Sequence, residues 1–552
     1  VQDVARRPGL TRRFEEYEGD VSGRTLGALS CLALLTGERS AKLDSIFERI
    51  LPHQKPEGYF GVDQAPMHWD EMGRQIFGHG RLLGGLVLYY QLTGDPRAFE
   101  AAVKLGDYFI ATIPTWTTLH ADNPWSDHDP LIDWKDNTSN RRHFVKTHMT
   151  SILESLMMLY RVAPKPELLA TAKEAAALLP DFGQYHSHSY LNTMVGMAML
   201  YEQTRDHAVL SQLYDLYWQD VKQHAVPHDG GVCEFFPEDL RTEGCSLTDW
   251  IRLNLYLWKI TQDGVYLDEA ENAWYNALNF HQTGNGAFGH AVRTPTGYAA
   301  EYSEAWWCCT MHGLWAYCDI LQFMAVARDD DVWLNFYAAS AFNLDVNGSP
   351  ARFVVDTAYP QEGVVTVRFD GKPTGFNLHL RIPRWARNYS VEVNGKPAEG
   401  EKKRGELIIG RTWKKGDTIT LRLPLSLRLV DADGNNLLES RTVSRELQQI
   451  HLFYGPLLLT VDGKHNSRFP ETILFDAGKN YRVKGSDQPF ALSAHFMIPA
   501  VINGFESTVL LTPLSEQTGH DPWSNEWRRF QRNGEEPIKR TPVMTMLPVR
   551  IR

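Results

Sequence analysis

The sequence predicts a mainly α N-terminal half, built as an α/α barrel of about six helical hairpins, followed by antiparallel β-sandwich structure. Three observations carry this. A turn pattern recurs at near-regular spacing through the first half. The apolar spacing shifts to two near Asp329. From there, Asx-Gly and Lys-Gly-Asp turn signals punctuate short alternating runs.

The recurring pattern is an apolar helix, then Thr-x-Asp/Glu, then a new helix. It occurs at Thr36-Gly37-Glu38, Thr93-Gly94-Asp95, Thr204-Arg205-Asp206 and Thr261-Gln262-Asp263. The threonines are 57, 111 and 57 residues apart, so one copy is degenerate and falls near Leu159–Val162, ahead of Pro164 and Pro166. In each copy the threonine or acidic residue can cap the next helix. A repeat of about 56 residues is one hairpin plus a loop, and such hairpins bury their faces only by stacking. A polar stretch from Thr115 to Arg142, with Trp116, Trp125 and Trp134, reads as an insertion over one mouth of the barrel.

Beyond Asp329 the runs Ala351–Val355, Val364–Phe369 and Asn377–Ile382 alternate. Turn signals follow at Asn347-Gly348, Asp370-Gly371, Asn394-Gly395 and Lys415-Gly416-Asp417. Gly455–Val461 is a further strand, and others fall near Phe490–Ile498 and Ser507–Leu514. The expected division is 1–328 for the barrel, 329–465 for the sandwich, and 466–552 for a β segment that completes it or forms a second small unit.

The 552 residues are 43% hydrophobic and 22% charged, the balance of a globular protein. A net charge of −11 argues against a nucleic-acid partner. No apolar run is long enough for a membrane span, and the opening VQDVARRPGL carries no apolar signal core. P-loop, dinucleotide, GxSxG and HExxH motifs are absent. Six cysteines are too few for a disulfide scaffold. The abundant aromatics (16 Trp, 22 Tyr, 25 Phe) suit a core and also a site that stacks on flat ligands such as sugars.

The strongest local signal is Trp306-Trp307-Cys308-Cys309, placed before an apolar helix from Leu314 to Val326. A helix N-terminus favours thiolates. Glu243-Gly244-Cys245 similarly precedes a helix from Trp250 to Ile260. Together these supply Cys3Glu, an acceptable tetrahedral zinc set with soft ligands. The same cysteines read equally well as ordinary buried residues. A Cys308–Cys309 disulfide would close a strained ring. Upstream, Glu234, Glu238 and Asp239 cluster with Glu243. Glu234, between Cys233 and two phenylalanines, is the best candidate for a carboxyl whose pKa rises enough for general-acid work. Histidines stand at turns, at His79, His186, His188, His228, His281, His290 and His312.

These motifs, with Gly23–Ser30, Thr357-Ala358-Tyr359-Pro360, Leu380–Ala386, Val393-Asn394-Gly395, Arg411–Asp417 and Tyr454–Leu457, resemble glycoside hydrolase family 127, the β-L-arabinofuranosidase-like proteins, over nearly the whole chain. The resemblance implies an α/α barrel with appended β-sandwich units and a Zn2+ bound by Glu243, Cys245, Cys308 and Cys309. It implies Cys308 as nucleophile of a retaining mechanism, Glu234 as acid/base, and substrate contacts from His186, His79, Arg81, Trp306 and Trp307. The family's acid/base precedes the zinc glutamate by about sixteen residues. Here the gap is nine, so Glu238 is the other candidate. Arg81 falls where the family carries a histidine and would suit a sugar carboxylate. The two tryptophans replace the usual neighbours of the cysteine pair and would reshape the sugar pocket.

The implied substrate is a terminal furanose or acidic sugar of a plant or microbial glycan. The same features accommodate an α/α-barrel polysaccharide lyase, a carboxylate-only glycosidase or a non-catalytic carbohydrate-binding protein. Family habit favours a periplasmic or secreted location. A reactive thiolate fits the cytoplasm as well, and a homodimer is compatible with the resemblance.

Overall fold

The computed structural model describes residues 18–61, 69–121, 147–237, 239–283, 286–305, 307–439, 444–463, 465–479, 481, 494–517 and 542–552. Of the stretch read as an insertion at 115–142, residues 122–142 lie outside these, as do Glu238 and Trp306. The helical N-terminal half and the β-rich remainder are both present. By contacts the chain forms two compact units. One comprises Val1–Val226, Val232–Tyr256 and Trp306–Cys318; the other comprises Pro227–Gly231, Leu257–Ala305 and Asp319–Arg552. No helix among the described residues is long and apolar enough to cross a membrane.

The longer helices in chain order are α1 (Asp20–Thr36), α2 (Leu43–Ile50), α3 (Trp69–Thr93), α4 (Pro96–Ala121), α5 (Leu153–Val162), α6 (Pro166–Ala177), α7 (Ser187–Thr204), α8 (His207–Asp215), α9 (Gly244–Thr261), α10 (Gly264–Asn272) and α11 (Trp307–Met324). The repeated turn is built the same way at all four of its copies. Thr36, Thr93, Thr204 and Thr261 each donate Oγ1 to the carbonyl four residues back. Each hydroxyl then accepts the backbone N–H two residues on, from Glu38, Asp95, Asp206 and Asp263. The intervening Gly37, Gly94, Arg205 and Gln262 take the left-handed conformation that ends a helix. Asp95, Asp206 and Asp263 accept the N–H two residues later, capping the next helix. The degenerate copy uses another device. Helix α5 stops at Ala163, and Pro166 opens α6 at its first turn, where the missing N–H costs nothing.

In the first unit α1 packs on α3, α3 on α5 and α5 on α7, so alternate helices form an inner row. Glycines permit the closeness. A Cβ on Gly23 of α1 would lie 2.3 Å from the backbone of Arg81 on α3, and one on Gly196 of α7 would lie 2.6 Å from the Glu154 nitrogen on α5. Trp315 of α11 sits against Gly27 of α1 and Gly84 of α3. Every second helix therefore turns one face to the same interior, where the polar groups described below converge.

In the second unit strands begin earlier than the change of period at Asp329. Gly289–Thr294 and Gly297–Ala305 already form an antiparallel hairpin ahead of α11. Two sheets follow, in spatial order Lys396–Pro397, Ser390–Val393, Thr418–Arg422, Val364–Gly371, Ser349–Thr357, Ser340–Val346, and Glu401–Lys403, Glu406–Trp413, Thr374–Arg381, Asp331–Leu334, Ala325–Arg328. Phe353 and Phe369 of the first meet Phe376 of the second at ring-centroid distances of 5.8 and 5.5 Å. Two pairings among the described residues depart from the expected antiparallel pattern: Asp331–Leu334 runs parallel to Thr374–Arg381, and Thr472–Phe475 runs parallel to Leu547–Ile551. The described strands after residue 466 join the Leu427–Val430, Gln448–Tyr454, Leu457–Asp462 and Gly289–Ala305 strands in a third sheet.

Candidate active site

The N-termini of α9 and α11 bring four groups together. Ligand atoms of Glu243, Cys245, Cys308 and Cys309 all lie within 4.8 Å of one another. The Sγ atoms of Cys245 and Cys309 are 3.6 Å apart, those of Cys308 and Cys309 3.9 Å, and Glu243 Oε1 is 3.9 Å from Cys309 Sγ. A tetrahedral zinc with Zn–S bonds of about 2.3 Å holds its sulfurs about 3.8 Å apart. The donor set and its spacing therefore fit zinc, and the soft sulfurs disfavour magnesium or calcium. All six cysteines are free thiols, so the pair is not a disulfide. Cys245 and Cys309 are fully buried, whereas Cys308 is partly exposed and its neighbour Trp307 is 56% exposed.

The surroundings hold this set in place. Glu243 Oε2 accepts from Ser246 Oγ at 2.8 Å and lies 3.2 Å from His186 Nε2. Arg24 directs Nη1 to Cys245 Sγ (3.5 Å), Nη2 to His188 Nε2 (2.9 Å) and Nε to Asp20 (2.7 Å). The three thiols share their protons unequally. Hydrogen bonds from Cys245 and Cys309 pull the Cys308 thiol well below its usual range, against burial and with help from Arg24. Burial pushes Cys245 and Cys309 up.

Glu234 follows Cys233, whose backbone bridges Thr242 in an isolated β-bridge. Its backbone carbonyl accepts the Ser187 N–H. Burial drives its carboxyl well above the ordinary range, Arg241 (2.7 Å away) opposes this, and Glu243, Asp239 and Cys308 add to the rise. It is thus a protonatable carboxyl in the electrostatic field of the Cys308 sulfur.

Other expected contacts are placed differently. His79 is fully buried, with Nε2 accepting the Phe60 N–H (2.8 Å) and Nδ1 donating to the Gln75 carbonyl (2.8 Å). Both ring nitrogens are consumed in packing α3, and a sugar contact is not available to it. Arg81 is 6% exposed, stacked over Phe77 at 5.0 Å and opposed by Glu154 at 3.8 Å. That Glu154 carboxylate is also held by Arg252, and burial together with Arg24 lowers the Arg81 pKa to about 10.

Sequence reasoning named His188 and His312 but passed over Asp249, Glu154 and Arg252 behind the thiols. Asp249 accepts from His188 Nδ1 and, at 2.8 Å, from His312 Nε2. Glu154 receives Arg252, whose Nη1 is 3.1 Å away, and also Asn192. A signal existed: Asp249 is four residues after Cys245, and His312 is four after Cys308, so each lies one helical turn below its cysteine.

Family models match two segments: the β-L-arabinofuranosidase GH127 catalytic domain over residues 9–320 and the GH127 middle domain over 331–425. No curated protein matches the chain. A GH127 β-L-arabinofuranosidase from Geobacillus stearothermophilus T6 is similar in structure, with 17% identity, TM-score 0.73, 97% of this chain covered and 91% of that one. A second solved GH127 β-arabinofuranosidase gives 18%, 0.70, 98% and 90%. A solved glycoside hydrolase gives 17%, 0.70, 96% and 92%. The structures establish a shared fold, and the family models, one of which spans more than half the sequence, establish that the chain belongs to the GH127 β-L-arabinofuranosidase family of glycoside hydrolases.

Proposed function

We propose that the protein is a retaining exo-glycosidase that removes terminal L-arabinofuranose from a plant or microbial glycan, with Cys308 as nucleophile and Glu234 as acid/base. Glu243, Cys245, Cys308 and Cys309 would hold the zinc ion, and the inner row of helices would close as an α/α barrel of six hairpins ahead of a β-sandwich. The division at 1–328, 329–465 and 466–552 belongs to this same reading. The observation that carries the assignment is the asymmetry of the cysteines. Three thiols converge, but only Cys308 is partly exposed, and its pKa is the one drawn down. The relatives' described activity supports the furanose over an acidic sugar.

Cys308 attacks the anomeric carbon as Glu234 gives its proton to the departing glycosidic oxygen. A C–S bond forms and the C–O bond breaks. Glu234, now a carboxylate, takes a proton from water, whose oxygen displaces sulfur and restores the thiolate. When bound, zinc keeps the thiols ionised and fixes their direction. His186 and Ser246 hold Glu243, and Trp307 offers an aromatic face to the sugar ring.

Two measurements test this. Elemental analysis of the wild type, Cys308→Ala and Cys245→Ala is expected to give about one zinc per wild-type chain and less in the variants. Turnover of aryl β-L-arabinofuranosides, followed by NMR of the first-formed anomer, is expected to show retention and to vanish in Cys308→Ala. Activity surviving that substitution would overturn the nucleophile.

A further inference from the structure

A second group of metal-type residues, His188, Asp249 and His312, lies fully buried beside the thiols. Its chemistry is wrong for a cation. His188 Nε2 faces two guanidinium groups, Arg24 Nη2 at 2.9 Å and Arg81 Nη2 at 3.3 Å, so it must accept. That leaves Nδ1 as the protonated nitrogen, donating to Asp249 Oδ2. Both nitrogens of His188 are thereby used. His312 Nε2 donates to the other oxygen, Asp249 Oδ1, at 2.8 Å, and Arg252 Nη1 lies 3.5 Å from that same atom. Arg24 and Arg81 thus occupy the His188 nitrogen that a cation would need, and Arg252 approaches the carboxylate.

The placement of the trio supplies another role. Asp249 sits one turn below Cys245 on α9, and His312 sits one turn below Cys308 on α11. Their bond ties the two cysteine-bearing helices together four residues, or about 6 Å of helical rise, beyond Cys245 and Cys308. His188 joins from α7, and Arg24 from α1 closes the loop by bonding both His188 and Cys245 Sγ. Four helices are therefore locked at the level immediately under the ligand set.

We propose that Arg24, His188, Asp249 and His312 form a positioning clamp that sets the relative register of Cys245 and the Cys308–Cys309 pair, and hence the geometry of the metal site. None of the four belongs to the Glu243, Cys245, Cys308 and Cys309 set, and only Arg24 bonds a member of it. The clamp rests on the zinc reading above and acts through it. Outer groups that orient metal ligands typically account for about 10–100-fold in metal affinity, so changes here are expected to register in affinity and coordination geometry.

The test uses the full chain with cobalt(II) as the spectroscopic probe and a chelator competition for zinc. Asp249→Asn keeps the shape but presents an amide donor to one of the two imidazole donors. His312→Leu, which removes the α11 donor to Asp249, is a second variant in case the first does not fold. Native near-ultraviolet circular dichroism serves as the check of folding. The expected result is a folded variant whose zinc affinity falls about 10–100-fold and whose cobalt visible bands shift from those of the wild type. Folded variants with unchanged affinity and an unchanged cobalt spectrum would overturn the clamp alone. A wild type that takes up neither zinc nor cobalt would overturn the metal reading and the clamp with it.

Discussion

Gly84 and Gly85 are neighbours on α3, and replacing each with alanine separates helix propensity from packing. Either substitution gains about 0.5–1 kcal/mol from the backbone. The surroundings differ. A Cβ on Gly84 meets Met158 Sδ at 3.5 Å and the Trp315 ring at 3.6 Å, ordinary contact distances. A Cβ on Gly85 would lie 2.5 Å from the Gly23 carbonyl oxygen and 3.2 Å from its Cα, in the backbone of α1. Backbone cannot rotate aside, so α1 and α3 must part by on the order of 1 Å to restore contact distance. Overpacking of this kind costs about 1–3 kcal/mol. The propensity gain cancels between the two variants, so Gly85→Ala is expected to be about 1–3 kcal/mol less stable than Gly84→Ala, with Gly84→Ala above the wild type. At about 2–4 °C per kcal/mol for a domain of 150–250 residues, helical circular dichroism during thermal unfolding resolves the difference. The same displacement carries Arg24, the residue after Gly23, away from Cys245 Sγ, already 3.5 Å distant. On the proposed zinc reading, metal retention is expected to fall in Gly85→Ala and to hold in Gly84→Ala. Equal stability of the two variants would refute the close-packing argument.

Three further outcomes follow from other parts of the molecule. Burial works to lower the pKa of His379, but its bonds to Glu406 Oε2 (2.8 Å) and Asp331 Oδ1 (3.0 Å) outweigh this and raise it. A raised folded pKa gives stability that is complete below pH 6.5 and lost as pH climbs through the folded value. The melting temperature of the wild type should accordingly fall more between pH 6 and 8.5 (~2.5 pH units) than that of His379→Gln, and parallel curves would discard the idea. Asp263→Ala removes the cap on the Val265 N–H and should cost about 1 kcal/mol in denaturant unfolding; no loss would mean the cap is replaced by water. Trp307→Ala should raise KM for the arabinofuranoside several-fold, on the order of 1 kcal/mol of stacking, without altering melting, and an unchanged KM would take the ring out of the sugar site.

What could be read from the sequence was what local chemistry decides. The Thr-x-Asp turns were legible because the hydroxyl and the carboxylate act within four residues of their own position, and all four copies adopt the same bonds. The strands at Val364–Gly371 and Ser349–Thr357 were legible because alternation marks a half-buried surface. The four-group site was legible because Glu243 and Cys245 flank a single glycine and Cys308 and Cys309 are adjacent. The rest required knowing which helix faces which. Helical counting located Arg81 but gave no hint that Glu154, on another helix, stands opposite its charge. The resemblance likewise singled out His79 without revealing that Phe60 and Gln75 occupy both of its nitrogens.

On the proposed reading, the buried charges near the thiols bear on how the site would take up a cation. Arg24, Arg81 and Arg252 are matched by Asp20, Glu154 and Asp249, so this group is close to neutral by itself. It has little positive charge left for Glu243 and three thiolates. Without a cation, burial keeps protons on Cys245 and Cys309, and the single easily ionised thiol is Cys308. On the proposed reading, a divalent ion must therefore displace protons from the two buried sulfurs as it binds. Proton release on zinc loading, measured in weakly buffered solution, should approach two per ion near neutral pH, on the order of the two thiols left to deprotonate. Release near zero would mean that the thiols are already ionised, and the charge balance drawn from the three arginines would be wrong.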